Sequence, residues 1–245
     1  MLIDSHAHFW HSYMSMDGPD INVIIRGMED TGIDMTYINS LSAIINTDTS
    51  PGNREVYDIT VQYPDLFRGL AVVTPYAGQK ALDELERCLT EYKFIGLKLH
   101  PWMQGYYANA DFLDPLFDIC RSYDVPVQFH TGTPPYTQVF QVACQAARHP
   151  DVRIVFSHMG LNYQWRDCID VGKRYKNTYF ESCGISYVFA IERIIRELGA
   201  HRVMFGTDNP FLFPKTELLK LEDISLSDTD LEWIYHKTAE EAFRQ

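Results

Sequence analysis

The chain has few cationic side chains and no long apolar run, and these absences exclude whole classes of protein. Its 245 residues contain 21 lysines and arginines against 33 aspartates and glutamates, giving a formal net charge of -12. Nucleic-acid-binding proteins concentrate lysine and arginine on one face, and no such basic stripe is present, so we expect no nucleic-acid partner. No stretch approaches the length of a transmembrane helix and no secretory leader is visible, so we expect no membrane partner.

Cysteine is also sparse, and its spacing excludes a disulfide framework. The five cysteines are odd in number, widely separated and without a CxxC pair, which fits reduced thiols that mostly fill the core. We therefore expect a soluble protein of the cytoplasm. These cysteines are Cys88, Cys120, Cys144, Cys168 and Cys183.

Short apolar runs rich in β-branched and aromatic residues recur along the chain, and each is followed by a longer stretch of helical period. Strict alternation of strand and helix predicts a parallel sheet with right-handed crossovers. Eight strands close a (β/α)8 TIM barrel, which we expect as a single domain over residues 1–245; a doubly wound open sheet is the alternative. The eight runs are Leu2–Phe9, Met35–Asn39, Phe67–Val73, Ile95–His100, Val125–Thr131, Arg153–Met159, Thr178–Ser182 and Arg202–Thr207.

Helices are predicted between these runs and in a C-terminal tail. Asp111 and Ser186 stand where N-caps belong, and Gly32 and Gly199 stand where left-handed helix ends are favourable. The predicted helices cover Asp20–Thr31, Gly52–Tyr63, Gly78–Tyr92, Asp111–Tyr123, Tyr136–Arg148, Tyr163–Tyr175, Ser186–Leu198 and, in the tail, Ser227–Arg244.

Two histidines stand on the first run, in Leu2-Ile3-Asp4-Ser5-His6-Ala7-His8-Phe9. Side chains at i and i+2 of a strand share a face, so both imidazoles can reach one metal ion. In a (β/α)8 barrel the active site lies at the carboxyl ends of the strands. Further polar residues end other runs, and they are His100, His130, His158 and Asp208.

These residues form a candidate metal site at the barrel mouth. Alternation along the strands turns His6, His8, His130 and His158 inward together with Asp208, and imidazole with one carboxylate suits Zn2+ first, with Mn2+, Fe2+ or Co2+ possible. Asp208 is the candidate to take a proton from metal-bound water, and His158 to polarise or protonate a substrate. Satisfied core histidines are the structural alternative.

Four segments carry a family resemblance. They are Ile3-Asp4-Ser5-His6-Ala7-His8-Phe9, Tyr63-Pro64-Asp65-Leu66-Phe67-Arg68-Gly69, Gly96-Leu97-Lys98-Leu99-His100-Pro101 and Phe205-Gly206-Thr207-Asp208-Asn209-Pro210. In this order they resemble the amidohydrolase superfamily, in its amidohydrolase-2 (aminocarboxymuconate-semialdehyde decarboxylase-like) branch. The resemblance implies a mononuclear divalent metal held by His6, His8, His130 and Asp208, with a catalytic role for His158.

Five residues near the strand ends are predicted to bind substrate. Lys98 could be a carbamylated ligand of a second metal, as in other branches, but we favour an interior cation that meets an acid or a substrate anion. His100 is expected in the pocket wall, Trp10 and Trp102 at the mouth, and Glu181 either on a substrate group or anchoring its strand.

The branch contains hydrolases, lactonases and non-oxidative decarboxylases, so the reaction has to be chosen separately. The short chain has little room for insertion loops, which favours a hydrolase that uses metal-bound hydroxide on a small ester, lactone or amide. The first alternative is a decarboxylase of an unsaturated or aromatic acid, with Arg54, Arg166 or Lys98 holding the carboxylate. The second is a catalytically silent metal-binding barrel. The expected partner is a small molecule, and a homo-oligomer is possible.

Overall fold

Parallel strands form a ring at the centre of the computed structural model, which describes residues 1–13 and 16–244. Each strand pairs in parallel with the next one along the chain. The eight barrel strands are Ile3–Phe9, Met35–Ser40, a third in two segments (Phe67–Gly69 and Ala71–Val72), Leu97–Leu99, Val127–His130, Ile154–Ser157, Thr178–Glu181 and Val203–Met204. A two-stranded antiparallel pair, Ser12–Tyr13 with Met16–Asp17, follows the first strand.

The third strand is divided because it changes partner. The Leu70 N–H donates to Ile38 of the second strand, at 2.9 Å, whereas the Ala71 N–H donates to Gly96 beside the fourth strand, at 2.8 Å. The single predicted run over Phe67–Val73 is therefore two short segments.

Backbone hydrogen bonds also join the first strand to the segment after the eighth. The Ser5 N–H donates to the Phe205 carbonyl at 3.0 Å, and the Asp208 N–H donates to the His6 carbonyl at 2.8 Å. The His8 N–H donates to Asn209 at 2.8 Å. These bonds close the ring, so the predicted (β/α)8 barrel is confirmed and the open doubly wound sheet is excluded.

Helices alternate with the strands as predicted. Within residues 1–13 and 16–244, no helix is long and apolar enough to span a bilayer. The α-helices are Ile21–Thr31, Leu41–Ile45, Ser50–Gln62, Gln79–Thr90, Pro101–Gln104, Asp114–Ser122, Val139–Arg148, Leu161–Arg174, Val188–Leu198, Pro214–Glu222, Asp228–Glu232 and Thr238–Phe243, and the last two are joined by a π-helical turn, Trp233–Lys237.

Two predicted N-caps are wrong. A 3-10 turn, Asp111–Leu113, precedes the helix that starts at Asp114, so Asp111 is not its cap. Ser186 lies outside the helix Val188–Leu198, and its backbone N–H donates to Asn162 at 2.8 Å.

At the helix ends, Gly32 adopts the predicted left-handed conformation, whereas Gly199 has a positive φ of 91° with an extended ψ of 148°. Three α-helices were not predicted. Leu41–Ile45 and Pro101–Gln104 are short, and Pro101 and Pro214 occupy the first-turn positions where proline starts a helix.

The end of the barrel away from the strand carboxyl termini is filled by apolar side chains. Strand residues such as Tyr37 meet the C-terminal helix there, and the Tyr37 and Phe243 rings lie 4.8 Å apart in an edge contact. The polar residues are thereby confined to the middle of the barrel and to its opposite mouth. The buried members of this plug are Ile3, Tyr37, Leu70, Ile95, Val155, Tyr179, Met204, Ala239, Ala242 and Phe243.

One buried carboxylate holds the closure of the barrel in place. Asp4 accepts hydrogen bonds from the Thr207 hydroxyl at 2.6 Å, from the Thr207 N–H at 2.9 Å and from the His6 N–H at 3.1 Å. The Thr207 hydroxyl also accepts from the Asn209 N–H at 3.1 Å. This network links the histidine strand to the loop that carries Asp208.

Replacing Thr207 by valine should destabilise the protein by about 1–3 kcal/mol, because the buried Asp4 carboxyl, whose pKa burial raises to about 8, loses a hydrogen-bond partner. Chemical denaturation of Thr207→Val measures this change. Thr216→Val, at an exposed position of the helix Pro214–Glu222, is the matched control and should shift the stability by less than about 0.5 kcal/mol. Equal stability of both variants would show that the network contributes nothing.

Candidate active site

A cavity of about 180 Å3 lies at the mouth of the barrel, where the carboxyl ends of the strands meet. Four larger clefts, of about 730, 650, 600 and 400 Å3, lie among other residues of the described chain, and the one histidine that lines them is His11. The mouth cavity has a polar side, formed by His8, His100, His130, His158 and Asp208, and an apolar side, formed by Leu41, Met103 and Phe211.

Three side chains converge beside this cavity in the manner of metal ligands. One oxygen of Asp208, Oδ1, lies 3.0 Å from His8 Nε2 and 3.5 Å from His6 Nε2. The donor atoms of these residues form a group whose members all lie within 4.8 Å of one another. Two imidazoles and a carboxylate are the donor set that suits Zn2+ and Mn2+.

The surroundings of His6 fit a metal ligand. His6 Nδ1 lies 3.0 Å from Glu181 Oε2, and a proton on Nδ1 leaves the lone pair on Nε2, the atom that faces Asp208. Metal-bound histidines are commonly held by a carboxylate in this way. The Lys98 ammonium lies 2.7 Å from the same His6 Nε2 and 3.2 Å from Ser157 Oγ. Lys98 and a cation therefore compete for one lone pair, and Ser157 offers Lys98 another partner.

His130 lines the cavity but does not belong to this group of close donor atoms. Its Nε2 lies 2.6 Å from the Thr133 hydroxyl, and its ring stacks on His100 at 4.0 Å with an interplanar angle of 11°. The structure thus brings together three of the four predicted ligands, and places the fourth in the adjoining wall.

His158 lies at the centre of the histidine cluster. Its ring centroid is 4.7 Å from that of His130 and 5.0 Å from that of His6. Its Nδ1 lies 3.1 Å from the Cys183 sulfur, and its backbone N–H donates to Glu181 Oε2 at 3.2 Å. These contacts with Cys183 and Glu181 fix the position of His158 in the wall of the cavity.

Burial and mutual proximity favour neutral rings at His6, His100 and His130, whereas at His158 the charges of Asp208 and Glu181 partly offset burial. Burial lowers the pKa of His6, His100 and His130 well below the ordinary value, and burial also lowers the pKa of His158 against the opposing charges of Asp208 and Glu181. Neutral imidazoles offer the lone pairs that a metal needs.

The pKa values of Asp208 and Lys98 are shifted as well. Burial raises the pKa of Asp208, but the hydrogen bond from His8 and the nearby histidines outweigh it and hold that pKa below the usual range. Burial lowers the pKa of Lys98 to about 8. The cluster therefore combines an ionised carboxylate with neutral rings, an arrangement that attracts a cation.

Two residues of the cluster have an unusual backbone conformation. His158 has a φ of 67° and Asp208 a φ of 58°, in the left-handed region that glycine prefers. Such strain costs about 1–3 kcal/mol per residue and is concentrated at functional sites. The turns after the sixth and eighth strands thus lower the stability of the fold while they direct these two side chains toward the mouth.

The five predicted substrate-binding residues differ in their position relative to the cavity. His100 lines the cavity as expected. Lys98 and Glu181 are fully buried and contact His6 instead, because their positions within the strands place them below the mouth. Trp10 stacks on Phe211 at 5.5 Å and supports the wall, whereas the Trp102 side chain is 48% exposed and Met103 supplies the lining.

Sequence reasoning missed four residues of the site. Cys183 follows Glu181 by two positions, and strand alternation could have placed it on the same inward face. Leu41, Met103 and Phe211 each follow a strand end closely, as do many lining residues of TIM barrels, but loop conformation decides which of them turn inward.

The fold and the site together define a TIM barrel that has side chains able to hold a divalent metal at the carboxyl ends of its strands. The chain belongs to the amidohydrolase family (Amidohydro_2), whose model matches residues 3–245. This confirms the resemblance noted in the four sequence segments.

Two sequence relatives are named decarboxylases. The chain is 27% identical over 202 residues to the gamma-resorcylate decarboxylase of Rhodococcus jostii, a match that covers 60% of this chain and only 61% of that enzyme. It is 25% identical over 282 residues to the gamma-resorcylate decarboxylase of a Polaromonas species, covering 90% of this chain and 86% of that enzyme.

Solved structures share the fold. The 5-carboxyvanillate decarboxylase of Sphingomonas paucimobilis superposes with a TM-score of 0.82 at 16% identity, covering 99% of this chain and 98% of that one. A dihydroxybenzoic acid decarboxylase of a Polaromonas species, solved with bound manganese and the inhibitor 2-nitroresorcinol, gives a TM-score of 0.76 at 21% identity, covering 99% and 96%.

The predicted hydrolase activity is wrong. Both sequence relatives are named decarboxylases, and decarboxylases are prominent among the structural neighbours. Chain length misled the prediction, because this chain covers 98% of the 5-carboxyvanillate decarboxylase of Sphingomonas paucimobilis. The named relatives are enzymes, and zinc is not specifically favoured, since two structural neighbours are solved with manganese.

Proposed function

We propose that this protein is a metal-dependent, non-oxidative decarboxylase of a monocyclic aromatic hydroxycarboxylic acid, acting through a single amidohydrolase-like domain over residues 1–245. The observation that carries the proposal is the pairing of a donor set for a divalent cation with a histidine, His158, in one small and partly apolar cavity. The decarboxylase relatives support the choice of reaction. A cytoplasmic location stays a prediction.

The size and lining of the cavity support a small aromatic substrate. A cavity of about 150 Å3 holds one benzene molecule, so 180 Å3 accommodates a single substituted ring. Leu41, Met103 and Phe211 offer it apolar walls. Larger drug-sized ligands need pockets of about 300 Å3 or more.

The carboxylate of the substrate has no lysine or arginine to meet it among the lining residues of this cavity. Arg54 pairs with Asp58 at 2.8 Å on an exposed helix surface, and Arg166 lies over the Trp165 ring at 4.2 Å. Both arginines therefore lie outside the site, and Lys98 lies beneath it. The negative charge has to be balanced by a metal, and the histidine N–H groups can donate hydrogen bonds to the carboxylate.

The residues that would hold this metal are His6, His8 and Asp208, and His130 stays the predicted fourth ligand. When bound, a divalent cation neutralises the anionic oxygens of the substrate and fixes their position. Mn2+ is the first candidate because related structures contain it, and Zn2+ is the second. His6 is oriented by Glu181, so its lone pair is fixed before any ion arrives.

His158 is the proposed proton donor. Protonated His158 transfers its proton to the ring carbon that carries the carboxylate, and a pair of ring electrons forms the new C–H bond. The carbon–carboxylate bond then breaks, its electron pair restores the aromatic ring, and CO2 leaves. His158 takes a new proton from solvent. Asp208 and Glu181 favour this protonation, since both raise the pKa of His158 against burial.

The test uses 2,6-dihydroxybenzoate and other monocyclic hydroxybenzoates as substrates. We expect release of one CO2 per arene formed, loss of activity after chelation, and recovery on addition of Mn2+. An assay of ester and lactone hydrolysis under the same conditions is the comparison. Full activity of the metal-stripped protein, or product formation without CO2, would contradict the proposal.

A further inference from the structure

A second group of possible metal ligands lies directly below the first. His6, His158, Glu181 and Cys183 each offer one donor atom, and all four atoms lie within 4.8 Å of one another. The side chains are almost completely buried, from 0% exposure for His6, Glu181 and Cys183 to 4% for His158. The proposed function uses His6, His158 and Glu181, but it gives no role to the Cys183 thiol.

The spacing of these atoms is close to that of a tetrahedral metal site. The Cys183 sulfur lies 3.1 Å from His158 Nδ1, 3.2 Å from Glu181 Oε2 and 3.6 Å from His6 Nδ1. His6 Nδ1 lies 3.0 Å from Glu181 Oε2. Ligands at ordinary zinc distances are about 3.3–3.8 Å apart in a tetrahedron, so an expansion of a few tenths of an ångström admits the ion.

We propose that His6, His158, Glu181 and Cys183 form a second, closed site for a soft divalent metal, Zn2+ or Cd2+, distinct from the proposed catalytic site at the mouth. Four protein ligands leave no position for substrate, as in structural rather than catalytic zinc sites. The thiolate selects Zn2+ or Cd2+ over Mn2+, which prefers oxygen ligands. On binding, the thiol proton leaves to solvent and His6 moves its remaining proton from Nδ1 to Nε2.

Occupancy of the thiolate site should inhibit the enzyme, because the two sites share residues. His6 has one lone pair as a neutral imidazole, so a metal on Nδ1 removes the ligand atom Nε2 from the mouth. A metal on His158 Nδ1 also stops that ring from cycling between its protonated and neutral forms. This consequence rests on the proposed function, whereas the existence of the site does not.

The first experiment titrates the Mn2+-loaded protein with Cd2+ and records the thiolate-to-metal charge-transfer band in the ultraviolet. We expect a band that saturates at one equivalent in the wild type and in Cys144→Ser, which removes an exposed thiol. The band should be lost in Cys183→Ser and in Cys183→Ala. Absence of the band from the wild type, or its persistence in both Cys183 variants, overturns the site whether or not the protein is a decarboxylase.

The second experiment measures inhibition by Zn2+ of each Mn2+-loaded variant, relative to its own activity without Zn2+. The concentration for half-inhibition should rise by about ten-fold or more in Cys183→Ser, since loss of one ligand weakens the site, and should stay unchanged in Cys144→Ser. Circular dichroism confirms that the variants are folded. Equal inhibition of Cys183→Ser and the wild type would overturn the inhibitory role.

Discussion

Asp208→Asn should bind Mn2+ at least about 100-fold more weakly than the wild type and lose decarboxylase activity with it. One oxygen of Asp208 faces the Nε2 atoms of both His6 and His8, at 3.5 and 3.0 Å. The amide keeps the shape of the side chain but removes the only anionic donor of this group. Loss of an outer partner of a ligand already costs about 10–100-fold in metal affinity, so a charged ligand should cost more.

Isothermal titration with Mn2+ after chelation gives the affinity, and CO2 release gives the activity. Asp223→Asn makes the same chemical change at an exposed position just after the helix Pro214–Glu222 and should match the wild type in both measurements. Wild-type metal affinity in Asp208→Asn would remove Asp208 from the ligand set. Normal metal content with lost activity would instead assign it a role in the reaction itself.

The barrel and the grouping of His6, His8 and Asp208 could be predicted because both follow from local periodicity. Alternation on a strand places His6 and His8 on one face, and the unit repeat of the barrel places Asp208 near them at the same end. The structure brings these three residues together as expected. The ring closure after the eighth strand was predicted only by the count of strands, not by any pattern at Phe205 or Asn209.

The lining of the cavity wall could not be predicted, because it depends on loop conformation and on how far along its strand each residue lies. Lys98 and His100 share a face of one strand, yet His100 reaches the cavity and Lys98 lies beneath it on His6. Trp102 and Met103 are neighbours, but the short helix Pro101–Gln104 turns only Met103 inward. The reaction depends on such details of the mouth, which explains why the hydrolase prediction failed while the barrel prediction held.

His158→Gln should lower kcat by about 10^2- to 10^4-fold, the usual contribution of a general acid, with little change in metal content. Glutamine keeps a polar group near Cys183 and Glu181 but cannot carry and release a proton. Because His158 does not belong to the group formed by His6, His8 and Asp208, the metal ligands should remain in place. Substrate affinity should also change little, since binding rests on the cation and the apolar wall.

Steady-state kinetics together with metal analysis separates this result from simple damage to the fold. His201→Gln is the matched control, because His201 is exposed and precedes the eighth strand, at the end of the barrel away from the cavity. It should retain wild-type kcat. A His158→Gln enzyme with normal kcat would transfer the proton-donor role to another group of the cavity, and a variant that lost its metal would make His158 a ligand. Low kcat with unchanged KM and full metal content is the outcome that only a proton donor explains.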